Sequence, residues 1–321
     1  MSLPEGSMTQ GGGRAAYVKT YVLITPAYNE SGYIGKTIES VLTQSVLPLK
    51  WVIVDDGSTD GTAAIVRSCA EEAAFIEYCK RERRAGETYY ASNVYAILQG
   101  YERVRNLDFA YLAILDSDMV LCPDYYKEIF KRFNANSELG IAAGTYVERI
   151  NGRWLEAFID RRSTPKALQV FRRTCYEQIG GYIPCANGGE DTCTEIMARM
   201  HGWQTWSFPE IRVVHQRPVG TGDGRRFLRG RFRQGLADYC LATHPLFMTV
   251  KCLRRCVRER PYVTAGLARF FGFAYGYLAR MPRSIPQDAR RYVRKEQMRR
   301  LLASISMGRR LWQPTQLDGR Q

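Results

Sequence analysis

The chain has 321 residues, 45% of them hydrophobic, which is enough to bury a large core in one or two domains. Nine cysteines, an odd number with no Cys-X-X-Cys pair, argue against a disulfide scaffold or a zinc site. They read as buried thiols of a reducing, cytosolic protein. Formal charge is +14, but it is unevenly spread: from Arg212 onward 24 Lys/Arg face 6 Asp/Glu, whereas residues 1–211 hold 22 against 26. A nearly neutral first part therefore precedes a strongly basic final third, which suits phosphates, nucleic acid or an anionic membrane surface.

The chain opens with no secretory signal, and Met1 to Met8 reads as a tag ahead of a native start, with Gly11 to Gly13 as a flexible lead-in. Tyr21–Thr25 is a short buried strand closed by Pro26-Ala-Tyr-Asn-Glu30, and Ser31 is placed to cap a helix running to about Thr43. Trp51–Val54 is a second strand, followed by the turn-rich loop Asp55–Gly61 and a helix over Thr62–Glu72. A third strand (Phe75–Cys79) and helix (Glu87–Arg103) lead to a fourth strand, Tyr111–Leu115. Strands alternating with helices through short loops predict a doubly wound, mostly parallel α/β sheet. Asp116 and Asp118 stand at the end of the fourth strand, on the sheet edge where α/β proteins bind ligands. Two adjacent carboxylates repel unless a cation joins them, and hard oxygen ligands suit Mg²⁺ or Mn²⁺ with a diphosphate. The loops Pro26–Glu30 and Asp55–Asp60 fall on the same edge. No Gly-X-Gly-X-X-Gly and no complete Gly-X-X-X-X-Gly-Lys-Ser/Thr loop is present, which argues against the dinucleotide and P-loop readings.

Pro26-Ala-Tyr-Asn-Glu30, Val54-Asp-Asp-Gly-Ser-Thr-Asp60 and Asp116-Ser-Asp118 resemble the three N-terminal signatures of glycosyltransferase family 2, which has the GT-A fold. The likeness continues through Val170–Tyr182, Gly188-Gly-Glu-Asp191, Gly202-Trp203 and Val213-Val-His215, so that it spans about residues 20–217. The resemblance implies an inverting enzyme that uses a nucleoside-diphosphate sugar as donor. It assigns Pro26, Tyr28, Glu30, Val54, Asp56, Asp116 and Ser117 to the nucleotide, and Asp116, Asp118 and His215 to the metal. The segment after the third strand departs from the family pattern by one residue, with Arg84 and Asn93 standing where sugar or phosphate ligands are expected. Glu190 and Asp191 start a helix over Thr192–His201 that Gly202 closes. As caps they are worth only ~0.3–1 kcal/mol through the helix dipole. By resemblance Asp191 is the catalytic base and Glu190 a contact to the sugar or diphosphate.

Beyond the strand Ile211–Val214, the Gly-rich loop Gly220–Gly224 reads as a lid, and Arg225 and Arg226 on the following basic helix as diphosphate clamps. The chain divides into a lead-in (1–18), a GT-A catalytic domain (19–217) and a basic helical C-terminal region (218–321). Leu246–Arg260, Tyr262–Arg280 and Gln287–Ser306 are predicted helices. The middle one has a clean apolar core of only ten residues with Arg269 ahead of it, short of the ~20 needed to span a membrane. Basic and aromatic helices suit docking on anionic lipid. The expected protein is thus a peripheral enzyme on the cytoplasmic face of the cell membrane, acting on a saccharide or lipid-linked acceptor. No nucleic-acid module is visible, so nucleic acid is not an expected partner. A polyprenyl-phosphate sugar synthase is the nearer rival, though its anionic acceptor would need no base. A sugar-nucleotide nucleotidyltransferase would require a Gly-rich basic loop after the first strand. A non-enzymatic binding protein would have little use for Asp116, Asp118, Asp191 and His215 together.

Overall fold

The structure is a computed structural model that describes residues 20–150, 152–157, 159–217, 227–258 and 262–306. The lead-in 1–18, the loop Gly220–Gly224 and Arg225 and Arg226 lie outside the described residues.

Four strands open the fold, β1 (Tyr21–Ala27), β2 (Lys50–Asp55), β3 (Ile76–Lys80) and β4 (Tyr111–Ile114). They are parallel, in the order β3-β2-β1-β4. Their residues are apolar on both sides because helices cover both faces. Odd positions such as Tyr21, Leu23, Trp51 and Tyr111 pack with α1 (Ile34–Leu42), α2 (Thr62–Glu72) and α4 (Tyr125–Ala135). Even positions such as Val22, Ile24, Val52 and Leu112 pack with α3 (Tyr89–Val104) and α5 (Arg173–Gln178). Thr88 caps α3 by accepting from the Ala91 amide. Ser31 does not cap α1, which starts three residues later; its backbone N–H instead donates to Asp60 at 3.1 Å.

The sheet then changes character. β8 (Val170–Arg172) pairs antiparallel with β4, and the long β6 (Leu139–Ile150) pairs antiparallel with β8 and parallel with β9 (Gln204–His215). A two-residue strand, β5 (Met119–Val120), runs antiparallel on the far side of β9, and β7 (Arg153–Glu156) hairpins onto β6. The register of β6 on β9 breaks between Gly144 and Thr145, where β9 bulges through Pro209. A side chain at Gly144 would stand 2.4 Å from the Ile211 carbonyl, so only glycine lets the strands meet there.

Four helices follow α6 (Glu190–Met200): α7 (Phe227–Cys240), α8 (Pro245–Arg258), α9 (Thr264–Leu278) and α10 (Gln287–Ser306). α7 and α9 cross at near backbone contact. A Cβ at Gly235 would fall 1.8 Å from the Arg269 carbonyl, and one at Gly272 1.9 Å from that of Phe232. A buried Asp238 joins the three helices, accepting from Lys251 of α8 at 2.7 Å and from Arg269 of α9 at 2.8 Å. α10 packs Ala289 and Val293 against Cys193 and Ile196 of α6. No helix among the described residues is long and apolar enough to cross a membrane.

Candidate active site

Parallel β1, β2 and β4 all end on one edge, and their loops build a single pocket. It is lined by Pro26, Ala27, Tyr28, Glu30, Asp56, Arg83, Tyr89, Asn93, Asp116, Ser117, Asp118 and Arg217. Two of the loops are stapled together. The Asn29 N–H donates to Ser58 Oγ at 3.0 Å, and the Thr59 N–H returns to Asn29 Oδ1 at 2.8 Å. Asp60 accepts from Ser31 and Thr62, which holds its carboxyl down at about 2 despite some burial.

The two aspartates that end β2 divide their work. Asp55 accepts from the Ser58 amide and the Tyr78 hydroxyl, both at 2.8 Å, and shapes the loop. Asp56 faces the pocket, held by the guanidinium of Arg81, by Arg83 at 2.9 Å and by the Ser92 hydroxyl at 2.7 Å. Arg83 lies over the Tyr28 ring at 3.5 Å. The expected Arg84 is exposed and outside the lining; its neighbour Arg83 takes the pocket position. Val54 is another correction. Strand alternation turns its side chain into the core beneath α3, so it offers the pocket no side chain.

Asp118 is fixed by sheet register. Met119 of β5 pairs with His215 of β9, and His215 pairs on its other side with Glu148 of β6. The imidazole therefore stands between two carboxylates, Nε2 3.2 Å from Asp118 Oδ2 and Nδ1 2.7 Å from Glu148 Oε1. Burial alone would lower its pKa, but the two carboxylates outweigh it and lift it to about 9. Asp118 is driven up by burial and pulled further down by His215 and Arg217, ending below the ordinary carboxylate range. Arg217 donates to Asp118 Oδ2 at 2.6 Å and also pairs with Glu30. Burial raises Glu30 to about 7, and its Oε2 is buried without a hydrogen-bond partner.

Asp116 sits differently. Lys166, on the short turn before β8, donates to Asp116 Oδ1 and to Asn93 Oδ1, both at 2.8 Å. Lys166 is also within electrostatic reach of Glu190 and Asp191 at the start of α6. This one ammonium thus ties Asp116 to the α6 pair. Glu190 is buried and raised to about 7, first by desolvation and then by Asp191. Asp191 is half-buried and raised by desolvation, with its Oδ1 accepting from the Thr192 amide at 2.7 Å.

Asp116, Asp118 and His215 do not form one ligand cluster: among the described residues no three His, Cys, Asp or Glu side chains gather closely enough to hold a metal ion. Asp118 and His215 stay adjacent while Asp116 faces Lys166. A carboxylate beside an imidazole, with an unpartnered Glu30 oxygen near by, still fits a hard cation, because such ions keep most of their shell for water and phosphate. Sequence reasoning missed Arg81, Arg83, Glu148, Lys166 and Arg217. Only Arg217 carried a signal, two residues after the expected His215.

A family model described as glycosyl transferase family 2 matches residues 22–190, more than half of the chain. The chain belongs to glycosyltransferase family 2. It is 36% identical over 96 residues to TuaG of Bacillus subtilis, a putative teichuronic acid biosynthesis glycosyltransferase, covering 30% of this chain and 34% of TuaG. The chain covers only 16% to 37% of the lengths of the first curated relatives it matches. Among solved structures, the mannosyltransferase PcManGT of Pyrobaculum calidifontis, in complex with GDP-Man and Mn²⁺, is similar. It superposes with a TM-score of 0.53 at 18% identity, over 92% of this chain and 82% of that one. Staphylococcus aureus TarS in complex with UDP-GlcNAc gives 0.52 at 15%, over 68% and 65%. At such identities the likeness is one of fold, the GT-A architecture of family 2.

Proposed function

We propose that this family 2 member is a metal-dependent, inverting glycosyltransferase that moves one sugar from a nucleoside-diphosphate sugar to an acceptor hydroxyl. The observation that carries the reading is the meeting of Asp116 with Glu190 and Asp191 around Lys166, beside the pocket that Asp116, Asp118 and the first two loops line. PcManGT with GDP-Man and Mn²⁺ and TarS with UDP-GlcNAc support the donor class. TuaG, described by its part in teichuronic acid biosynthesis, supports a polysaccharide acceptor, and a lipid-linked one is the alternative.

In this reading Pro26, Tyr28, Glu30 and Asp56 receive base and ribose, and Ser117 and Asn93 lie beside the diphosphate. Asp118 and His215 would hold Mg²⁺ or Mn²⁺, with Asp116 next to them. When bound, the cation supplies positive charge for the leaving diphosphate, so that no acid is needed there. Lys166 and Arg217, already on the same carboxylates, place two further positive charges at that end. Asp191, across Lys166 from Asp116 at the start of α6, has a raised pKa, which makes it a better base. It takes the proton from the acceptor hydroxyl as the new bond forms, a contribution of ~10²–10⁴ in rate. Base on one side and leaving group on the other give in-line displacement and inversion. A polyprenyl-phosphate acceptor would leave the raised Asp191 without work.

The reading keeps residues 19–217 as the catalytic domain and 218–321 as a basic helical region that rests on the cytoplasmic face of the membrane. A thermal-shift screen of UDP-, GDP- and dTDP-sugars with Mn²⁺ or Mg²⁺ tests the enzyme class. One nucleotide series should stabilise the protein in the presence of metal, by ~2.7 kcal/mol at a hundredfold excess over Kd. No shift with any of them would remove the reading.

A further inference from the structure

A second cleft, of about 380 Å³, lies on the C-terminal helices and is lined by Arg283, Gln287, Arg290, Arg291 and Arg294. The helix pattern explains the clustering. Ala289 and Val293 face α6, and positions 287, 290, 291 and 294 share the opposite side of α10. Arg283 donates to the Tyr239 carbonyl, Arg290 to that of Ile285 at 2.8 Å and Arg294 to that of Ala242 at 3.3 Å. Among the described residues no carboxylate pairs with any of the four arginines. Backbone carbonyls hold the guanidiniums of Arg283, Arg290 and Arg294 in place, and no carboxylate of the described residues compensates their charge. Like charges in one cleft repel, and a fixed guanidinium fork matches phosphate oxygens.

A second observation identifies the ligand's surroundings. On α9, Leu267, Phe271, Tyr275 and Leu278 are exposed at i, i+4, i+8 and i+11. On α8, Leu246, Val250, Leu253 and Val257 are exposed at i, i+4, i+7 and i+11. Leu278 and Val257 leave 83% and 73% of their surface open. The charged cleft reaches the C-terminal end of α9, where the Arg283 guanidinium stands 5.2 Å from the ring centre of Tyr277, the residue before the exposed Leu278, and 3.5 Å from that of Tyr239.

We propose that the Arg283–Arg294 cleft is a site for the phosphate headgroup of an anionic membrane lipid, with the α8 and α9 stripes lying at the acyl boundary beside it. Soluble phosphate or nucleic acid would use the arginines and leave two apolar stripes in water; an anionic lipid surface satisfies both. The assignment rests on the membrane-surface part of the proposed function and names the residues that serve it; donor binding does not depend on it.

The test is co-sedimentation of the full chain with vesicles of phosphatidylcholine alone or mixed equally with phosphatidylglycerol, at low and high salt. The wild type should bind the mixed vesicles at low salt and not the neutral ones. The double variant Arg291→Gln/Arg294→Gln should bind roughly 30-fold more weakly, the weight of two basic residues at an anionic surface. Its unfolding temperature and its metal-dependent nucleotide affinity should match the wild type. Removing two charges from the sheet domain, with Arg105→Gln/Lys127→Gln, should weaken binding far less. Equal losses in the two double variants would show a response to net charge and overturn the cleft. So would wild-type affinity in Arg291→Gln/Arg294→Gln. A wild type that ignores anionic vesicles but is stabilised by inorganic phosphate or a short nucleic-acid duplex would overturn the lipid assignment while leaving the glycosyltransferase reading intact.

Discussion

At the scale of single residues, the pocket proposed for the donor is an arrangement of acidic groups each held by a basic one: Asp56 by Arg81 and Arg83, Asp116 by Lys166, and Asp118 and Glu30 by Arg217. Arg217 shares Asp118 Oδ2 with any cation that binds there. The variant Arg217→Ala should therefore bind Mn²⁺ several-fold more tightly in the absence of nucleotide, read from the free-ion electron paramagnetic resonance signal. A weaker affinity would mean that Arg217 shapes the site rather than competing for it. Asp191→Asn keeps size and hydrogen bonding but cannot accept a proton. Donor affinity should stay nearly unchanged while transfer falls by ~10²-fold or more. Turnover that persists while donor affinity collapses would make Asp191 a binding residue. The acidic members of this site other than Glu148 were legible in the sequence because strand ends and turn residues announce them. Their basic partners were not: Lys166 follows a proline on a turn with no pattern around it, and Arg83 differs from Arg84 only in which way a loop residue faces. Asp55 and Asp56 are likewise separated by which groups donate hydrogen bonds to them, which no spacing reveals.

At the scale of elements, the first half of the sheet follows directly from alternating apolar strands and amphipathic helices, and α2 spans Thr62–Glu72 as its pattern predicts. β5 and β8 escaped because two or three residues carry no periodicity. β9 was read only from Ile211, since Pro209 and the bulge interrupt its alternation. These overlooked strands nevertheless decide the site, for β5, β9 and β6 put His215 between Asp118 and Glu148. Among the helices, the buried Asp238 holds α7, α8 and α9 together. Desolvation pushes its pKa up, but Arg269 and Lys251 outweigh that and hold it at about 2. A depressed folded-state pKa gives stability that is complete above the unfolded value of ~3.9 and is lost as pH falls toward 2. Asp238→Asn leaves Arg269 and Lys251 without their anion and should cost ~3–5 kcal/mol at neutral pH. Urea unfolding of both proteins should show that gap constant between about pH 4 and 7, below the range where burial lets Lys251 lose its proton (about 8), and shrinking below pH 4. A gap that widens in acid would contradict the ion-pair account.

At the scale of the whole molecule, charge and topology set two features apart. The sheet edge gathers the carboxylates of the proposed sugar-nucleotide site, while the helices after β9 collect the arginines and exposed apolar stripes of the proposed lipid site. α6 connects them, starting with Glu190 and Asp191 at the pocket and packing its far side against α10. The account stands or falls on the metal–diphosphate site at Asp118. Isothermal titration of UDP and GDP into the wild type and into Asp118→Ala, each with Mn²⁺ and again with EDTA, measures it directly. One of the nucleotides should bind the wild type with Mn²⁺, weaken at least tenfold in EDTA, and lose its metal dependence in Asp118→Ala along with most of its affinity, about 1.4 kcal/mol for each factor of ten. Tight nucleotide binding by Asp118→Ala in EDTA would contradict the account.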